Sequence, residues 1–205
     1  NEARMLPVSS DGQLVLFSNL EILPISSQHS YVDYWGSRVS SFEILTPHKE
    51  LSLSATSLVE VRPRLHTVDA ISWADLAVQS ARTTETVEQL GQTRRTNPPD
   101  EVAELARSIA VSNADACTAA LEICTAIGEA MEYMQGVTGV HSTAEEAWAV
   151  RKGVCQDITH LALGALRSVG IPARYVSGYL HPKPSAAIGE TVAGESHAWV
   201  EWFCG

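Results

Sequence analysis

The chain has 205 residues, 45% of them apolar and 19% charged, with a formal net charge of −10. That is enough for one large domain or two small ones with a packed core, and it excludes wholesale disorder. The acidic balance argues against nucleic acid or an anionic membrane surface as the main partner, and the apolar runs are too short and too often broken by charge for a membrane-spanning helix.

The first 64 residues read as β. The opening NEARMLP is strand-like and lacks the apolar stretch of a signal peptide. Segments 13–24, 29–35, 38–46 and 50–61 alternate or are rich in β-branched and aromatic residues, with turn residues between them at Ser10-Asp11-Gly12, Trp35-Gly36-Ser37 and Pro47-His48-Lys49. Four or five short strands at this spacing predict a small antiparallel sandwich or half-barrel.

Pro63 marks a change to helical signals. SWADLAVQSA begins with Ser72 as N-cap, and PPDEVAELARSIAVS places two prolines and an aspartate before a helical run. Residues 115–134 are nearly apolar all round, the pattern of a helix buried in a domain centre, ended by Gly136. HSTAEEAWAVRKG supplies a further short helix, capped by Ser142 or Thr143. Next comes RKGVCQDITHLALGALRSVGIPARYVSGYL, residues 151–180. Ile158, Leu161, Ala162, Ala165, Leu166 and Val169 follow the helical period, and Gly170 and Pro172 stop it. Strands are expected over 173–180 and 195–203, joined by the Pro/Gly-rich HPKPSAAIGETVAG. The order predicts an α+β protein: a β module over 1–64, then a second domain over 65–205.

Cys155 falls at the N-terminus of the helix that follows KGV. Unpaired backbone N–H groups and the helix dipole favour an anion there, so a thiol at this position suits nucleophilic chemistry, and the same amides suit an oxyanion. The competing reading is a small buried hydrophobe. Asp157, in the first turn, reads as a cap. A thiol nucleophile needs a base. His197 leads, on a strand whose alternation groups it with Trp199 and Glu201, while His160 and His181 stay open as alternatives. Trp148 and Trp199 are substrate-cleft candidates with core packing as the rival role, and Tyr175 and Tyr179 read as structural. The four cysteines, Cys117, Cys124, Cys155 and Cys204, form no CxxC pair and no common zinc spacing, so no metal or cofactor is expected. Their sparse use points to a reducing, cytoplasmic location.

GVCQDITHLALGALRSVGIPARYVSGYL followed by ESHAWVEWF resembles the core of the transglutaminase-like superfamily, and residues 1–62 are similar to the β-rich N-terminal region of its bacterial members. The resemblance implies a papain-like core in which Cys155 opens the central helix and His197 lies in the HAW strand. The family's third member is an Asp some ten to twenty residues after the His, here expected beyond Gly205. The implied activity is acyl transfer on an amide or peptide carbonyl through a thioester, with a peptide or protein substrate. Peptidase- or amidase-like hydrolysis ranks first, protein-glutamine transglutamination next, and acyl transfer to a small arylamine third. A non-catalytic binding module is the rival class.

Overall fold

The computed structural model describes residues 1–62, 70–181, 183 and 185–205. The change at Pro63 and the expected boundary at 64/65 fall outside the described residues. Two compact units divide the chain, Asn1–His66 and Thr67–Gly205.

The first unit holds five strands: β1 (Glu2–Leu6), β2 (Gln13–Leu23), β3 (Ser27–Val32), β4 (Arg38–Glu43) and β5 (Ser52–Val61). All pair antiparallel, β4 between β1 and β3, and β2 along β5. Alternation sends Leu20 and Ile22 inward from β2, where they join Ala3 and Phe42 in a small core. A register shift between Val15 and Phe17 breaks that alternation and leaves Leu16 and Phe17 exposed.

The second unit mixes helices with short strands. Its helices are α1 (Trp73–Ser80), α2 (Thr84–Glu88), α3 (Asp100–Ser112), α4 (Ala116–Ala130), α5 (Ala144–Val150) and α6 (Cys155–Ser168). Its strands are β6 (Glu132–Tyr133), β7 (Lys152–Gly153), β8 (Ala173–Tyr179) and β9 (Ser196–Trp202). Ser72 caps α1 by accepting from Asp75 N–H, and Thr143 rather than Ser142 caps α5 in a reciprocal box with Glu146. The α2 helix, opened by Thr83, adds to the expected elements.

Two expectations change. The helix over 115–134 ends at Ala130, because Glu132 and Tyr133 pair with Lys152 and Gly153 in a parallel β6–β7 bridge. It is also buried on one face only: Ile123 and Ile127 are in the core while Leu121 is 59% exposed. Conversely, α6 is buried almost all round, from Asp157 to Leu166 except Ile158. Helices α3, α4 and α5 and the β8–β9 hairpin pack around it. Gly164 is needed for this, since a Cβ there would stand 2.0 Å from the Thr96 carbonyl oxygen. Gly170, with φ +84°, then turns the chain back into β8, which pairs antiparallel with β9.

Candidate active site

Cys155 is the first residue of α6 and is partly exposed. The turn before it is tied from the helix side. Asp157 N–H and Ile158 N–H donate to the Val154 carbonyl, and Val154 N–H donates to Asp157 Oδ2 at 2.8 Å. The Thr138 hydroxyl donates to the same oxygen at 2.6 Å. Asp157 is therefore a buried capping residue, as its first-turn position suggested. Among the described residues, the backbone N–H groups of Cys155 and Gln156 meet no acceptor. Two amide donors thus stand open beside the thiol, as helix geometry requires of a first turn. The Gln156 side chain reaches the Gly139 carbonyl at 3.4 Å. The roles of Thr138 and Gly153 were not legible in advance; a Cβ on Gly153 would meet Asp157 Oδ2 at 2.6 Å, so the glycine before the Cys motif makes room for the cap.

His160 lies on α6 with its ring 5.6 Å from that of Tyr175 on β8. Cys155 is five residues nearer the helix N-terminus, about 7.5 Å along the axis. Two or three strand residues cover the same distance at ~3.3 Å each. Ser177 and Gly178, with their partners Ala198 and His197, are therefore level with Cys155. The ladder also sets facing. Tyr175, Val200 and Trp202 lie on the side packed toward α6 and the core. His197, Trp199 and Glu201 lie on the other side, where Glu201 pairs with Arg174 at 2.8 Å and Trp199 covers Gly178. Cys155 and His197 thus share a level but not a face, and no hydrogen bond between them occurs among the described residues.

The other expected groups are placed as follows. His160 is buried, and burial pushes its imidazole down; Asp157 opposes this while Arg95 and Arg167 add to it. Tyr175 is pushed up by burial and by the nearby Cys155 and Asp157. It is 40% exposed, on the face of the hairpin turned toward α6, with its ring against that of His160. His181 is exposed and accepts from Lys183 N–H. Trp148 does not line a cleft: it is 5% exposed, packs in the core, and spends its indole N–H on Glu101 at 2.9 Å with the Arg151 guanidinium over its ring. Trp199 is half-buried on the face of β9 turned away from α6, over Gly178, so the facing that separates His197 from Cys155 separates Trp199 from it as well. Cys117 and Cys204 form a disulfide, leaving Cys124 and Cys155 as thiols. Burial raises the Cys124 thiol to about 11. Among the described residues no group of three or more His, Cys, Asp or Glu is placed to hold a metal.

Comparison with known proteins agrees with this architecture. Residues 103–205 match the model of the transglutaminase-like superfamily, and residues 1–60 match that of the bacterial transglutaminase-like N-terminal region. An uncharacterised protein of Mycobacterium leprae is 39% identical over 206 residues, covering 100% of this chain and 73% of that protein. Among solved structures, a candidate cysteine protease from Cytophaga hutchinsonii superposes with a TM-score of 0.76 at 21% identity, over 100% of this chain and 67% of its own. The periplasmic domain of TgpA from Pseudomonas aeruginosa, bound to ethylmercury, matches at 16% identity and a TM-score of 0.45, over 89% of this chain and 60% of its own. The expected cytoplasmic location does not stand. It rested on sparse cysteines, and two of the four are bonded, as occurs in oxidising compartments.

Proposed function

This chain belongs to the transglutaminase-like superfamily, and from that premise we propose that Cys155 is the nucleophile of an amide-directed acyl transfer with His197 as its base. His197 takes the thiol proton and the thiolate attacks the carbonyl carbon of a carboxamide or peptide. The N–H groups of Cys155 and Gln156 receive the oxyanion. The amine or ammonia leaves with the proton from His197, and water resolves the thioester to an acid. Hydrolysis of a peptide or protein substrate is the favoured outcome; an amine in place of water would give transglutamination. The observation that carries the reading is a thiol on the first residue of a buried helix beside two unpaired amide donors. His197 is level with it, and productive contact requires the end of the β8–β9 hairpin to rotate so that the imidazole comes around the strand. The opposite facing of His197 favours, as a second reading, a non-catalytic module.

Iodoacetamide labelling separates the two. In the catalytic reading Cys155 labels far faster than Cys124 near neutral pH, and His197→Ala slows it. Equal labelling of the two thiols removes that reading. Release of ammonia or peptide cleavage that is lost in Cys155→Ala identifies the hydrolase, and incorporation of a labelled amine identifies the transferase.

A further inference from the structure

Two buried polar atoms have no partner among the described residues: Asp157 Oδ1 and His160 Nδ1. Asp157 is 1% exposed and His160 7%. They are three residues apart on α6, so their side chains share a face of the helix. A buried polar atom left without a partner is costly, and two within one turn point to something that joins them. One internal water can do so, accepting from Nδ1–H of a neutral imidazole and donating to the carboxylate oxygen. The other carboxylate oxygen is already occupied by Val154 N–H and the Thr138 hydroxyl, with Gly153 packed beneath it.

We propose that Asp157, held by His160 through one internal water, is the positioning residue of the site. It fixes the first turn of α6 so that the Cys155 thiol and the open N–H groups of Cys155 and Gln156 converge on one point. This rests on the reading of Cys155 as nucleophile. The carboxylate grips the residue just before the thiol, and through Thr138 it also grips the loop whose Gly139 carbonyl takes the Gln156 side chain. The residue before the thiol and the 138–139 loop therefore hang on one group. His160 serves as the neutral donor that burial favours. The titratable and charged groups facing it are Asp157 and Arg167 from α6, Arg95 from the segment before α3, and Tyr175 from β8.

The test is iodoacetamide labelling of the whole chain, resolved cysteine by cysteine by peptide mass, from about pH 5 to about pH 9, bracketing histidine titration. Asp157→Ala is expected to slow Cys155 roughly tenfold to hundredfold, the scale of a displaced reacting group, while Cys124 keeps its rate. Asp157→Asn, which retains an acceptor for Val154 N–H, restores most of the loss. His160→Gln, which keeps a neutral donor, costs less at neutral pH than Asp157→Ala and makes the acid side of the profile shallower than in the wild type. Thr138→Val gives an intermediate loss. A wild-type rate in Asp157→Ala, no recovery in Asp157→Asn, or an acid side unchanged by His160→Gln overturns the proposal. Where Asp157→Ala does not fold by circular dichroism, Thr138→Val decides, and a wild-type rate there overturns it. A crystal structure without a water between Oδ1 and Nδ1 removes the bridge. Wild-type protein in which Cys155 labels no faster than Cys124 sinks the nucleophile reading instead, so the two failures are told apart.

Discussion

The helix that begins with Cys155 and the strand that carries His197 are held in different ways. Helix α6 is enclosed by three helices and a hairpin, and its first turn is bound by a buried carboxylate with two hydrogen bonds on one oxygen. Among the described residues, strand β9 has a single pairing partner, β8. The face bearing His197 also carries an exposed ion pair and a half-buried tryptophan. The thiol end is thus preorganised and the imidazole end adjustable. Under the proposed acyl transfer, the rearrangement that brings His197 to Cys155 belongs in the hairpin, where backbone hydrogen bonds are fewer and packing is one-sided.

Four changes break or sharpen this contrast. The largest effect belongs to the helix: Gly164→Ala drives a methyl to 2.0 Å from the backbone oxygen of Thr96, which has nowhere to go. Even after the helix preference of alanine, the loss is about 3 kcal/mol in urea unfolding. The matching change in the hairpin is milder. In Gly178→Ala the new methyl meets only the outer ring edge of Trp199, at 2.6 Å, and the ring can swing away at about 1 kcal/mol; a loss equal to that of Gly164→Ala would erase the contrast.

The third change concerns pH. Burial depresses the folded-state imidazole of His160, so the unfolded chain binds the proton more readily. Its contribution to stability is fully present above the ordinary histidine value of about 6.5 and is lost as pH falls through and below it. His160→Gln should flatten that acid slope in thermal melts at stepped pH. The smallest effect is on the outer face of the hairpin. Arg174→Ala removes exposed ion pairs to Glu201 and Glu85, worth at most about 1 kcal/mol and less in high salt.

Local signals were legible in the sequence. Helix α6 starts at Cys155 and gives way at Gly170 and Pro172, and β8 and β9 lie within a residue of their expected ends, because caps, breakers and alternation act over a few residues. What sequence period does not carry is the partner. The end of α4 at Ala130 is set by pairing with β7, some twenty residues on. The all-round burial of α6 depends on elements contributed from both sides of it in the chain, so His160 and Thr159 sit inside although they break the apolar stripe. Trp148 was ambiguous because an indole suits a cleft wall and a core equally; its neighbours Glu101 and Arg151 decide for the core. The facing of His197 against Cys155 depends on register across the hairpin, and one residue of slip would reverse it.

The Cys117–Cys204 bond joins α4 to the residues just past β9 across a separation of 87 residues. Everything from α5 to the end of the hairpin, Cys155 and His197 included, lies inside that covalent ring. Exposed stretches within it, such as Ala187 to Gly189, are natural points for a protease to cut. One cut there opens the ring without releasing a fragment. The nicked protein should run as a single band on a gel without reductant and fall into two pieces when dithiothreitol is added.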